Sequence, residues 1–274
     1  MIELPEAVVL AAQIRQLFTG KTVKSVEAAH SPHKFAWFYG DPQQYAGQLS
    51  GKKLVDAAGH GGLLEISFED RTVVFGDGVN LRYHAADEKR PDKHQMLLEF
   101  SDRTALSASV QMYGELWCFP AGKFDHPYYK SAKEKPSPLT DLFNRTYYDS
   151  LLAVDKPDKM SVKAFLATEQ RIPGLGNGVL QDILFYAGLH PRKSIHSLSA
   201  ADHDRLFQAI RTTLDRMVSQ GGRDTERNML GQPGGYKTRL SKNTVHLPCT
   251  ICGQIIKKEA FLGGSIYYCP GCQP

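Results

Sequence analysis

The sequence predicts an α+β fold of two domains: an N-terminal helix with an antiparallel β-sandwich, then a helical half ending in a four-cysteine zinc hairpin. Three observations predict it. Short β-prone runs divided by turn signals fill residues 21–119, apolar residues at helical spacing take over after Pro138, and four of the five cysteines crowd into the last 26 residues.

The first helix is read from ELPEAVVLAAQIRQLF, residues 3–18, where Glu3 and Glu6 complement the dipole of the first turn. The runs TVKSVEAAH, KKLVDAAG, GLLEISFED, RTVVFGDG, HQMLLEFSD and RTALSASVQMYGELWCF follow, broken at Glu69-Asp70, Asp77-Gly78 and Ser101-Asp102. Close spacing of this kind argues for an antiparallel sandwich or barrel. HPYYKSAKEKPSPL, rich in proline and lysine, reads as the crossing between domains. Beyond it LTDLFNRTYYDSLLA, MSVKAFLATEQRI, VLQDILFYAGL and SAADHDRLFQAIRTTLDRMVSQGG read as helices. Ser161, Asn177 and Ser199 are the expected N-caps, and Gly188 and Gly221-Gly222 the expected stops. The expected divisions are residues 1–130, 131–240 and 241–274. GGRDTERNMLGQPGGYKTRL, dominated by glycine and polar residues, reads as a mobile loop.

With 42% hydrophobic residues the chain has enough apolar content for real cores, and no run approaches the ~18 residues that span a bilayer. Neither does the N-terminus carry a signal-peptide pattern, so a cytoplasmic location is the expectation. A formal net charge of +4 is compatible with a polyanionic partner and equally with an ordinary metabolic enzyme.

Cys249, Cys252, Cys269 and Cys272 are spaced C-x2-C-x16-C-x2-C, within the window for a tetrahedral structural zinc site. Four thiolates leave no open coordination position, which excludes a catalytic zinc. The alternative, two disulfides, is disfavoured in a reducing compartment. GQIIKKEAF and GSIYYC flank Gly263-Gly264 and read as a hairpin too short to fold without the metal. Cys118, between Trp117 and Phe119, reads as a buried small hydrophobe.

In RIPGLGNGVLQDILF, Gly174 and Gly176 let the backbone approach a partner closely, and the helix beginning near Asn177 has free N–H groups suited to a phosphate. A helix-helix turn that needs glycine only for its dihedrals fits the same residues.

Taken in order, the β-rich half, the PGLGN turn, the VLQDILFYAGLHP helix and the terminal CPGCQ resemble the formamidopyrimidine-DNA glycosylase and endonuclease VIII family over nearly the whole chain. This resemblance implies a two-domain clamp with a helix-two-turn-helix element that binds damaged or abasic double-stranded DNA as a monomer. It implies Cys249, Cys252, Cys269 and Cys272 as ligands of one zinc and Asn177 as a phosphate contact. Gly174, Gly176, Lys163 and Lys257 would stand beside the strand, amid further charge from Arg171, Lys237, Arg239, Lys242 and Lys258. Met112 and Tyr113, in Gln111-Met112-Tyr113-Gly114, resemble its wedge, with a β-strand as the other reading of the same residues.

Where the chemistry belongs, the sequence departs from that family. Its members begin Met-Pro-Glu and attack C1′ with the proline amine freed when methionine is removed; here residue 2 is Ile, too bulky for Met1 to be removed. The free amine would then be that of Met1, displaced by up to ~3.6 Å. Glu3 stands at the catalytic glutamate, where an ordinary first-turn carboxylate fits equally well. Gly61 falls where a lysine is expected, with His60 its nearest substitute, and Gly264 where the hairpin's arginine is expected.

The expected function is therefore recognition of damaged or distorted duplex with the proline-initiated glycosylase and AP-lyase chemistry lost or altered. An active glycosylase or lyase using the Met1 amine or Glu3-activated water is the alternative. A zinc-stabilised protein-interaction module is the second.

Overall fold

The structure, a computed structural model, describes residues 1–153 and 160–274. Helix α1 (Leu4–Phe18) opens the chain with Pro5 in its first turn, and β1 (Val23–Ala28), β2 (Ala36–Phe38) and the short α2 (Tyr45–Leu49) follow. Strands β3 (Leu54–His60), β4 (Leu63–Phe68), β5 (Arg71–Gly76), β6 (Val79–His84), β7 (Met96–Phe100), β8 (Ala105–Val110) and β9 (Gly114–Pro120) complete two sheets. One is ordered β1-β7-β8-β6 and the other β2-β9-β5-β4-β3. Between them Ile66, Phe68, Val73 and Phe75 meet Met96, Leu98, Phe100 and Leu106, with Leu10, Ile14 and Phe18 of α1 closing one end.

Two features depart from the sequence expectation. The sandwich is not wholly antiparallel, because β2 pairs parallel to β9 at the sheet edge; a three-residue strand leaves no alternation to read. The lysine-rich crossing contains a helix, α3 (Pro127–Glu134). Together with the preceding loop it covers the outer face of the five-stranded sheet, where Phe124 and Ala132 pack on Val74, Trp117 and Phe119. A sheet covered on both faces explains why β4 and β5 are nearly continuous apolar runs.

The helical half comprises α4 (Arg145–Ser150), α5 (Val162–Ala167), α6 (Val179–Ala187) and α7 (Ala200–Ser219). Asn144, Ser161 and Ser199 cap α4, α5 and α7 through their side chains, the last as a capping box with Asp202. Residue Leu4 of α1 joins this second core, beside Leu175, Val179 and Ile183. Helix α1 thus belongs to both halves, which puts the amino terminus at their junction. The hairpin β10 (Lys257–Phe261) and β11 (Gly264–Tyr268) packs on α6 through Phe185, Ile256 and Cys269. Among the described residues no helix is long and apolar enough to cross a membrane.

The segment after α7 is not the contact-free loop that its composition suggests. Asp182, buried in α6, accepts hydrogen bonds from the Arg239 and Leu240 backbone N–H groups, both 2.9 Å, and from the Tyr236 hydroxyl, 2.9 Å. Arg223 is fully buried and Met229 lies in the sandwich core.

Candidate active site at the interdomain cleft

A cavity of about 910 Å³ lies between the two halves, lined by Met1, Ile2 and Glu3 at its floor, by the sandwich on one side and by α5, the 174–177 turn and the hairpin tip on the other. The amino terminus is fixed there by ordinary backbone bonding. The Ile2 N–H donates to the Asp77 carbonyl, 2.5 Å, and the Leu4 N–H to the Gly174 carbonyl, 3.0 Å. The Ile2 side chain, 4% exposed, enters the sandwich core. With Met1 in place, position 2 supplies a bonded amide and no amine. The free amine belongs to Met1 and donates to Glu226, 2.5 Å away.

Glu3 accepts from the Gly178 and Val179 N–H groups at 2.8 and 2.7 Å, and Arg223 Nη1 lies 3.1 Å from its carboxylate. Arg223 also donates to Glu6 through Nε at 2.9 Å and Nη2 at 2.7 Å. Burial pushes the Glu3 carboxyl up, against the pull of Arg223 and the two amides. All three neighbours are donors, which leaves no acceptor for an acid proton and holds Glu3 ionised. The flanking glycines are required by this packing: a Cβ at Gly176 would lie 2.4 Å from Glu3 Oε1, and one at Gly178 1.7 Å from Arg223 Nη1. Two expectations are corrected here. Asn177 does not cap α6, whose N-cap is Gly178 without a side-chain bond of its own, and the helix N–H groups suited to a phosphate are already taken by Glu3.

Gly61 has φ +53°, and a Cβ there would lie 2.6 Å from Pro173 Cβ and 3.0 Å from Pro173 C. Gly174 approaches the Gly61-Gly62 backbone equally closely, its added Cβ falling 2.4 Å from Gly61 C. The two domains thus meet backbone to backbone where a lysine was expected. His60 faces Glu65 at 3.8 Å and does not line the cavity.

Asn177 donates through Nδ2 to the Ser265 carbonyl, 2.9 Å, and Gln181 clips the same strand by donating to Ser265 O and accepting from Tyr267 N. Lys163 is buried and donates to the Phe261 carbonyl at the hairpin tip; burial, then Arg192, lower its pKa. Both line the cavity with Gly174, Gly176 and Gly264, whereas Lys257 lies on the exposed face of β10. A Cβ at Gly264 would meet Asn177 Nδ2 at 3.0 Å. Across the cleft Met112 is 63% exposed, and Tyr113 stacks on Trp37 with centroids 5.6 Å apart. Arg171 is buried and paired to Glu169, and Arg239 donates to Tyr186; these two are tied into the fold.

The sequence reading missed a second acidic group in the cleft. Asp77, in a left-handed turn at φ +50°, and Glu115 of β9 are hydrogen-bonding neighbours. Glu115 is 5% exposed, and its Oε2 has no hydrogen-bond partner among the described residues. Gly76 makes room for it, since a Cβ there would lie 2.7 Å from Oε2. Burial, then the Asp77 charge, push the Glu115 carboxyl up to about 8, and burial also raises Asp77. Two carboxyls this close share one proton at neutral pH. The pair comes from separate strands, and no spacing in the sequence joins it.

The four cysteine sulfurs converge within 4.8 Å of one another. The contacts Cys249–Cys272 at 3.8 Å and Cys252–Cys269 at 3.3 Å are far longer than a disulfide of ~2.05 Å. The Ile251 N–H points at Cys249 Sγ, 3.5 Å, as in a knuckle turned around a metal. Four convergent thiols of this kind fit one metal ion. Cys118 is buried in the sandwich, its thiol pushed up to about 12 by burial.

Comparison with known proteins agrees with this architecture. Residues 1–126 match the formamidopyrimidine-DNA glycosylase N-terminal domain and residues 135–228 the formamidopyrimidine-DNA glycosylase H2TH domain. The chain belongs to the formamidopyrimidine-DNA glycosylase family. Family relatives include the formamidopyrimidine-DNA glycosylase of Enterococcus faecalis, 28% identical and aligned over 100% of this chain and 97% of that protein. Lactococcus lactis Fpg, solved with DNA containing an abasic site, shares the fold with a TM-score of 0.84 at 22% identity, covering 99% of both chains. MutM (Fpg) of Thermus thermophilus does so at 0.80 and 24%, covering 99% and 98%.

Two outcomes test this geometry. Gly61→Ala is expected to lower stability by ~2–4 kcal/mol in urea unfolding, combining a left-handed backbone with a clash against Pro173. Glu115 keeps its proton to about 8 when folded, whereas the ordinary carboxyl value is 4.5. The folded state therefore binds more protons across that window, and stability falls as pH rises through it. Glu115→Gln should remove the fall; an unchanged melting-temperature profile would exclude the shared proton.

Proposed function

We propose that this protein is a DNA-binding member of its family that engages damaged or abasic duplex in the interdomain cleft without the proline-initiated glycosylase and lyase chemistry. The observation that carries this reading is the Ile2 backbone: its N–H is an amide bonded to Asp77, and its side chain is packed in the sandwich core. An attacking amine at that point would require Met1 to be removed, which the bulk of Ile2 opposes. Three further features support the reading. The Met1 amine is held by Glu226, both Glu3 oxygens are occupied by donors, and the backbone contact at Gly61 leaves no space for a lysine.

The clamp itself supports binding. Met112 and Trp37 stand exposed on the sandwich side, with Tyr113 half-buried against Trp37, as apolar surfaces for an unstacked base step. Lys163 and Asn177 stand opposite, beside the hairpin tip. The proton shared by Asp77 and Glu115 lowers the negative charge that a phosphate backbone meets in the cleft. A single structural zinc on Cys249, Cys252, Cys269 and Cys272 holds the hairpin that Asn177 and Gln181 clip to α6. The cleft is complete within one chain, consistent with a monomer.

The Met1 amine lines the same cavity, so the alternative of chemistry through that amine is separable by experiment. Borohydride trapping with an abasic-site duplex is expected to give no covalent adduct, while the same duplex binds tightly with an affinity that falls steeply with salt. An adduct mapped to Met1 would overturn the binding-only reading. Affinity no greater than for undamaged duplex would overturn damage recognition.

A further inference from the structure

We propose that Glu27, His30 and His94 form a second metal site, on the sandwich and outside the cleft, that takes a divalent ion of the zinc, cobalt or nickel class through two imidazoles and one carboxylate. One donor atom from each residue lies within 4.8 Å of the other two. None of the three lines the interdomain cavity.

The backbone around the cluster is rigid. Strands β1 and β7 are antiparallel neighbours, and their pairing continues past the strand ends, with the Ala29 N–H donating to Gln95 O at 2.7 Å and the Ser31 N–H to His94 O at 2.9 Å. Ser31 Oγ accepts from the His94 N–H at 3.2 Å. The paired segments therefore place His30 beside His94, and their rings stack with centroids 4.4 Å apart at an interplanar angle of 8°. His94 is buried, whereas Glu27 and His30 are exposed and can close on an ion by rotating their side chains.

The convergence of the three donors carries the inference. His94 Nδ1 lies 3.0 Å from the Pro91 carbonyl and Nε2 3.1 Å from Glu27 Oε2. Both neighbours are acceptors, while a neutral imidazole has one N–H and one lone pair. If Nδ1–H donates to Pro91, the Nε2 lone pair faces a carboxylate oxygen, which is repulsive unless a cation lies between them. His30 Nδ1 converges on the same Glu27 oxygen at 3.5 Å. Either a proton or a metal ion can stand between His94 Nε2 and Glu27, and the third donor converging on the same oxygen, His30 Nδ1, favours the metal. A metal ion uses both lone pairs and the carboxylate, with the Nδ1–H to Pro91 as the outer bond that orients a ligating histidine. Nitrogen and oxygen donors suit zinc, cobalt and nickel, and three protein ligands leave one position for water. A bound ion would tie the chain leaving β1 to the approach to β7, just before β2 carries Trp37 to the cleft wall.

The test uses the full chain with its cysteine cluster already loaded with one equivalent of zinc, titrated calorimetrically with Co²⁺ near neutral pH. One further equivalent is expected, with weak visible bands and none of the intense near-ultraviolet absorption of a cobalt thiolate. His94→Ala and His30→Ala should each abolish it and leave the first equivalent in place; His30 is exposed, so its variant guards against misfolding at the buried position. Absence of a second equivalent in the parent chain, or its survival in both variants, would overturn the site and leave Glu27 and His94 as an ordinary ion pair.

Discussion

A guanidinium that is only 2% exposed needs charge and hydrogen-bond partners on every donor edge, and Arg223 finds them in two carboxylates of the chain's own beginning. Glu6 takes Nε and Nη2, and Glu3 lies against Nη1 while it caps the first turn of α6. Sequence positions more than two hundred residues apart are thereby tied to one point between the sandwich and the helical half. Removing the cation would strand two buried carboxylates, at a cost of ~3–5 kcal/mol. The position of the amino terminus follows from this triad. With Glu3 and Glu6 fixed, Ile2 runs along the Asp77 carbonyl and Leu4 joins the helical core.

The same constraint limits the chemistry that the cleft can carry. A nucleophile needs a free lone pair close to the reacting carbon, and a displacement of ~1 Å costs about two orders of magnitude in rate. With Met1 in place the second residue is a bonded amide, and the amine lies on the residue before it, against Glu226. Glu3 is committed to α6 and Arg223. The one ionisable group in the cleft with an oxygen still unpaired is Glu115, among the described residues that are buried there, and it arises where no family motif points.

What the sequence revealed follows the range of the interactions involved. Helix α1, the N-cap at Ser199 and the cysteine hairpin rest on contacts within a few residues, and their patterns can be read directly. Strand β2 escapes because three residues in parallel pairing carry no alternation. Asn177 was the natural local cap for α6, but a carboxylate from the other end of the chain performs that role. Arg223 was concealed by its setting, since a glycine-rich polar stretch has the composition of a mobile loop until its long-range partners are known. The glycines at 174 and 176 were legible as points of close approach, whereas Gly61 was read only as the place of a missing lysine. The partners of Gly174 and Gly176, the Gly61 backbone and Glu3, were not legible.

The central claim is that the Arg223 triad holds the terminus, α6 and the cleft floor as one unit. Amide hydrogen exchange of Ile2, Leu4, Gly178 and Val179, compared between the parent protein and Arg223→Met, tests it most directly. The four amides should exchange slowly in the parent and lose protection together in the variant, while the β10–β11 hairpin keeps its own. Retention of protection at Ile2 and Leu4 in a folded variant would show that the terminus is held by something other than this triad.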